Sequence, residues 1–349
     1  MVSTPNNANV TKRDSNIELL RLVLLFMIVV HHGLTPGLRL GDMLHFSFPI
    51  IQDNDLLPAC LINSFCIIGV NTFILISGYY GIKTTKSKFL NLLCQMFFYV
   101  LLFSVPVFLI QGNVGKSLSS FLLFSDSRYW FITDYMILMV LAPGINLFFE
   151  KSSSREQRLY TLALLLVSCY LGFLWHFEAN VNGYTVFQFI TLYSTGMYLK
   201  NNPIHLDKIP AIVIYVLCSL VITALMMFFH KTGHDSWAWI MTYYNNPVLI
   251  ISAIAFFFIF KNMKIDDVRI NHISSSSLAI YLFSCSALMA DTLYYPFIQS
   301  AYEANGRIAL LLIPVVALLI SAFSILVDKL LVSRFVRFVH QKLMSISFS

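Results

Sequence analysis

Ten apolar stretches, each close to the length that crosses a lipid bilayer, leave this chain few folds to choose from. They lie near residues 17–33, 57–80, 89–110, 129–149, 159–176, 184–200, 209–229, 243–260, 276–297 and 308–331. A bilayer core of about 30 Å takes about 20 predominantly apolar residues per helix. The expected fold class is therefore all-α, a polytopic integral membrane helix bundle of about ten transmembrane helices. Composition points the same way. The 349 residues are 58% hydrophobic and 11% charged, against about 45–50% and about 25% in soluble domains. An ordinary soluble enzyme, a disordered chain and a nucleic-acid-binding protein are excluded.

The charges orient the bundle, because cytoplasmic loops are enriched in Lys and Arg. With the N-terminus inside, seventeen of the 23 basic residues fall on the cytoplasmic side and five (Arg39, Lys116, Arg128, Lys231, Arg307) on the other, with Arg21 inside the first run. Both termini are thus expected to be cytoplasmic, and the formal charge of +6 is mostly a topology signal. Lys12 and Arg13 resemble the basic end of a signal peptide, but Glu18 and Arg21 interrupt its apolar core, so the first run reads as a retained helix. All six cysteines, Cys60, Cys66, Cys94, Cys169, Cys218 and Cys285, fall in apolar runs and read as small packing residues. No disulfide framework or zinc spacing is visible, and no metal is expected. Segment 113–125 suggests a short interfacial helix.

Ionisable groups inside a membrane span are costly and usually face the bundle interior. The first run holds the densest set. Arg21 and His32 are eleven residues apart, a rotation of about 1100°, or about 20° past three full turns, so they share a helix face with about 16 Å between them along the axis. Glu18 lies three residues before Arg21 and can pair with it. A cation at the cytosolic mouth and an imidazole deeper in suit a substrate with a phosphate-rich end and a reactive end. Arginine grips phosphate with a planar fork, and histidine serves as a general base near neutral pH. On these residues alone a snorkelling Arg21 and an interfacial His32 explain the pattern as well.

Other candidates are weighed by depth and neighbours. Asp134 and Asp291 lie a few residues from the outer ends of the fourth and ninth runs, level with His32, so either could orient its imidazole; water-facing rim positions are the alternative. Asn71, Ser77 and Tyr79 sit in a glycine-rich segment at the end of the second run, where close helix packing is the competing role. Lys83, Lys86 and Lys88 follow on the cytoplasmic side, as phosphate ligands or as a positive-inside anchor. His31 points about 100° away from His32 and reads as structural. His230 and His234 flank Gly233 in a loop, which disfavours a metal site. Nucleotide-binding glycine loops, the Gly-x-Ser-x-Gly elbow and His-Glu-x-x-His are missing.

Four segments in order resemble the integral-membrane O-acyltransferases of the acyltransferase-3 family. They are Asn16-Ile-Glu-Leu-Leu-Arg21 with His32 ten residues beyond, Gly69 to Tyr79, Tyr129-Trp-Phe with Tyr135, Pro143 and Asn146, and Ile270-Asn-His-Ile-Ser followed by Ala279-Ile-Tyr-Leu282. The resemblance implies a ten-span bundle that transfers an acyl group, commonly acetyl from acetyl-CoA, to a hydroxyl of a cell-envelope carbohydrate. It implies that His32 is the essential histidine and Arg21 its paired basic residue. Glu18, Lys83, Lys86, Asn71, Ser77 and Tyr79 join Arg21 as candidate donor-binding residues, and Asp134 and Asp291 join His32 as candidate catalytic ones. Many members carry Arg-x-x-Arg after the second helix and His-Asp after the Tyr-Leu of span nine; here those places read Lys83 to Lys88 and Tyr281-Leu-Phe-Ser284. The expected organisation is a cytoplasmic tail at 1–15, a membrane acyltransferase domain at 16–331 and a cytoplasmic tail at 332–349, in the cytoplasmic (inner) membrane. Expected partners are acyl-CoA, a carbohydrate or lipid-linked glycan acceptor and lipid, with no nucleic acid. A non-enzymatic polysaccharide flippase or small-solute transporter is the competing reading.

Overall fold

The computed structural model describes residues 14–40, 50–111, 129–176, 178–286 and 288–346, and the segment expected as an interfacial helix lies outside them. Every described element is helical. In chain order they are α1 (Ser15–His32), α2 (Asp53–Cys66), α3 (Gly69–Tyr80), α4 (Lys86–Gln111) and α5 (Trp130–Lys151), then α6 (Ser154–Leu166), α7 (Val186–Asn201), α8 (Lys208–Lys231), α9 (Asp235–Ile240) and α10 (Pro247–Lys261), and last α11 (Val268–Ser274), α12 (Ser277–Ser284), α13 (Tyr295–Asn305), α14 (Ile308–Val327) and α15 (Ser333–Ile346). Wider π turns continue four of them, at Gly33–Gly37, Val167–Leu174, Leu288–Tyr294 and Asp328–Val332.

Among the described residues each of the ten apolar stretches is largely helical, but seven helical segments are long and apolar enough to cross a bilayer. Counting the bent pair Val268–Ser284 and Leu288–Asn305, which turns by 64°, as one span gives eight. The remaining two stretches form α7, with 16 residues, and α10, with 15. Their surroundings explain the shortfall. Gln188, Thr191, Ser194 and Thr195 on α7 are buried, as are Phe257, Phe258 and most of the rest of α10. A helix walled by other helices does not have to match the lipid in length, and its polar side chains can bond within the bundle.

The burial pattern separates an inner from an outer set. The α1 and α2–α3 spans are 67% and 78% buried, whereas those of α4, α5, α6, α8 and α14 fall between 22% and 33%. Leu166, Ile209, Leu311, Leu318 and Leu319 on the outer helices present bare apolar surface, as lipid-facing positions do. Two glycines set the tightest crossing. A Cβ on Gly78 of α3 would strike the Tyr193 backbone of α7, and one on Gly196 of α7 would strike the Leu75 carbonyl of α3. Small residues let these two backbones touch, as membrane helices without a solvent-driven hydrophobic force require.

Breaks in the inner helices are held by amide side chains. Asn71 on α3 and Gln188 on α7 both donate to the Tyr244 carbonyl, at 2.8 and 2.9 Å, just before Pro247 opens α10. Gln188 in turn accepts from Ser168 at 2.5 Å, and Asn180 donates to the same serine oxygen at 3.1 Å. At the opposite end of α1 from its N-terminus, Arg307 and Tyr302 both donate to the Asp55 carboxylate, at 2.7 and 2.9 Å, tying α13 and the α14 start to α2.

Candidate active site

Packing brings the separated sequence motifs together at the N-terminal end of α1. Asn16 donates to the Phe260 and Lys261 carbonyls at 3.1 and 3.3 Å, capping the last turn of α10. Ser15 accepts from the Asp267 amide at 3.0 Å, and hydrogen bonds from Arg269 hold the Asp267 carboxyl below its usual range. Glu18 is buried and accepts from Arg21 on one oxygen and from Ser274, at the end of α11, on the other. Tyr80 donates to Asp14 at 3.0 Å. Residues more than 250 positions apart thus fix the direction in which the Arg21 guanidinium points.

That guanidinium lines a cavity of about 610 Å³. Ile17, Glu18, Arg21, Leu25 and Ile28 of α1 form one wall, Ser274, Ser277 and Tyr281 a second, and Val70, Phe73, Phe131 and Tyr135 a third, while Tyr80 and Lys88 stand at the same mouth as Arg21. The mouth is polar, with Arg21 and Lys88 beside Asp14 and Glu18, and the inner part is apolar and aromatic. Phe131 lies 5.3 Å from Tyr281, 5.9 Å from Phe73 and 5.9 Å from Tyr135 between ring centres. A second cavity of about 340 Å³ shares Arg21, Tyr80, Lys88 and Tyr135 and adds Ser77, Lys83, Asn91 and Gln95.

The loop that supplies Lys83 is pinned. Gly81 takes φ +75°, a left-handed conformation that glycine adopts without strain. The Ile82 amide donates to Tyr193 at 2.8 Å, Asn146 donates to the Ile82 carbonyl at 3.0 Å, and Tyr193 donates to Asn146 at 2.6 Å. Thr84 donates to the Met139 carbonyl at 2.7 Å. Asn146 of the third motif therefore acts on the loop that follows the second.

His32 lies one turn beyond Ile28 on the same stripe of α1, and the cavity ends at Ile28 and Tyr281. It is half-buried. Its Nδ1 lies 3.9 Å from the Cys285 Sγ, directly after α12, and its ring centre is 5.8 Å from that of His31. No hydrogen bond to Nε2 of His32 occurs among the described residues. His31 is buried elsewhere, with Nδ1 2.7 Å from Asn63 Oδ1 and 3.1 Å from Thr35 Oγ1, in keeping with a structural role.

The structure sorts the remaining candidates. Lys83 reaches the second cavity; Lys86 is exposed and lines neither, and Lys88 lines both. Ser77 lines the second cavity and donates to the Phe73 carbonyl at 3.1 Å. Asn71 holds a backbone break instead of facing either cavity. Tyr79 packs on Phe257 at 5.0 Å with the Lys261 ammonium 4.9 Å from its ring, so its neighbour Tyr80 is the one at the mouth. Asp134 is half-buried on α5, and Asp291 is exposed on the π turn after α12. Neither acid is hydrogen-bonded to His32. Equal depth in the bilayer leaves the direction around a helix axis open, so depth alone does not bring an acid to the imidazole. Among the described residues, no group of three or more His, Cys, Asp or Glu could hold a metal ion.

A polar mouth, an apolar throat and an imidazole on the same helix stripe suit a donor with an anionic head and a reactive tail. The family model of the acyltransferase domain, acyltransferase family 3, matches residues 14–328. The chain belongs to the acyltransferase-3 family. No curated protein and no solved structure matches it. The matched span runs from Asp14, which accepts from Tyr80 at the cavity mouth, to Asp328. Asp328 is buried and accepts from Tyr99, Ser276 and Ser333 at 3.2, 2.6 and 2.8 Å, which anchors the start of α12. An all-helical, multi-pass membrane acyltransferase is thus what chain and family together describe.

Proposed function

We propose that this acyltransferase moves an acyl group, acetyl in the simplest case, from acyl-CoA to a hydroxyl of a cell-envelope carbohydrate or lipid-linked glycan. The supporting observation is the cavity whose polar mouth carries Arg21 and Lys88, with Lys83 in the adjoining cavity, and which follows the α1 stripe that leads to His32. In this reading both termini and the mouth face the cytosol of the inner membrane, and the spans approach ten, with α7 and α10 as short inner ones. The nucleotide phosphates sit on Arg21, held in register by Glu18, and on the two lysines. The pantetheine arm runs past Leu25, Ile28 and Phe131, and the thioester reaches the turn beyond Ile28. There His32 Nε2 takes the proton of the acceptor hydroxyl as the oxygen attacks the thioester carbonyl. Two aligned reactants and a general base are what acyl transfer needs from a protein.

Purified protein in lipid, given radiolabelled acetyl-CoA and cell-envelope extract, is expected to release CoA and to label an acceptor. His32→Ala should slow both by on the order of 10²–10⁴-fold, the usual contribution of a general base. Release that is unchanged in His32→Ala would sink the assignment of the base. No release by the wild type, with extract supplied, would favour the transporter reading.

A further inference from the structure

We propose that Cys285 is an acyl carrier, accepting the acyl group from the donor thioester before the acceptor hydroxyl takes it. The proposal rests on the acyl-CoA reading above. Cys285 is a buried thiol outside any disulfide, and its Sγ is 3.9 Å from His32 Nδ1. Among the described residues it is the partner that the His32 ring nitrogens find, in place of an acid. A thiol within reach of an imidazole is the arrangement that activates a cysteine nucleophile. Among the described residues none of the five other cysteines is hydrogen-bonded to a histidine.

Position argues for a carrier as well. The cavity ends at Ile28 on α1 and Tyr281 on α12, and the next residues on those two stripes are His32 and Cys285. Each lies four residues on, about 6 Å further along its helix. The pair lies one turn beyond the last lining residues on both helices, where the tail of a donor held at the mouth would arrive. With the acyl group parked on Cys285, donor and acceptor do not have to occupy the site together.

The steps balance. His32 takes the Cys285 S–H proton, and the thiolate attacks the donor carbonyl. A carbon–sulfur bond to Cys285 forms, the one to CoA breaks, and the CoA thiolate leaves with the proton from the imidazolium. In the second half the acceptor hydroxyl gives its proton to His32, its oxygen attacks the Cys285 thioester, and Cys285 departs as thiolate and is reprotonated. One thioester is exchanged for another, which costs little free energy, and no oxidant or reductant enters.

The test uses the full chain in lipid with radiolabelled acetyl-CoA, quenched in acid before and after addition of acceptor extract, and read by peptide mass spectrometry. The expected result is one acetyl group on the peptide that contains Cys285, released by neutral hydroxylamine and discharged when extract is added. Cys285→Ala and the near-isosteric Cys285→Ser should lose that label and slow transfer by on the order of 100-fold or more, while keeping the wild-type elution profile. Three results would overturn the carrier. Transfer by Cys285→Ala within about twofold of wild type would leave direct transfer to the hydroxyl and the acyl-CoA reading intact. Slow transfer by both variants, with no label ever trapped on wild type, would make Cys285 a positioning partner of the imidazole. Absence of CoA release by wild type would remove the acyl-CoA reading and the carrier with it.

Discussion

The two ends of α1 are built on different principles. Around Arg21 the polar groups are cross-tied: Glu18 holds Arg21 and Ser274, Asn16 caps α10, Tyr80 reaches Asp14, and the Lys83 loop is pinned by Asn146 and Tyr193. The space there is roomy, about 610 Å³ beside about 340 Å³. At the other end His31 and Asp55 are tied in the same way, but around His32 itself there is one sulfur contact at 3.9 Å and an imidazole nitrogen with no hydrogen bond among the described residues. Binding a large polyanion asks for a fixed, preorganised surface, since ordering loose side chains on each binding event would cost affinity. A general base needs a nitrogen left open for the substrate's proton, and a neighbour that bonded it permanently would compete for it.

The sharpest way to break the contrast is at the glycines. Gly78→Ala should destabilise the protein severely, because its new Cβ would meet the Tyr193 backbone, which cannot turn aside. Gly33→Ala, near the His32 end, would meet mainly the Tyr294 and Ile313 side chains and should cost less, within the range of about 1–3 kcal/mol for overpacking. Thermal unfolding in detergent ranks the two, and the reverse order would mean that the α3–α7 crossing is looser than its geometry implies.

A smaller effect separates holding the donor from reacting with it. Arg21→Lys keeps the charge but loses the fork and the fixed pairing with Glu18, and should raise KM for acyl-CoA by on the order of 10-fold with kcat little changed. His32→Ala should do the opposite. If Arg21→Lys lowered kcat alone, Arg21 would be acting on the reacting end and the division along α1 would fail. Smallest is the expected split among the lysines. Lys88→Ala should raise KM by a few fold, corresponding to about 0.5–1 kcal/mol for a partly exposed ion pair, and Lys86→Ala should leave it unchanged. Equal effects would show that these lysines act through overall charge and not by place.

Much of this was legible along the chain. Apolar run length dictates membrane helices because lipid offers the backbone no hydrogen bonds, and the 100° step places Arg21 and His32 on one stripe of α1 whatever surrounds it. The pairing of Glu18 with Arg21 follows from their three-residue spacing in the same way. These are properties of single helices, where the backbone repeat carries the geometry. Contacts between helices depend on rotation about each axis and on crossing points, which have no local code. Hence the choice of Tyr80 over Tyr79 and Lys88 over Lys86, the use of Asn71 to hold the Tyr244 carbonyl, and the lack of a hydrogen bond from either acid to His32 came only with packing. Cys285 is the clearest case: read alone it is a small apolar residue in a long apolar run, and it gains His32 as a neighbour only because α12 is laid against α1, 253 residues away in the chain.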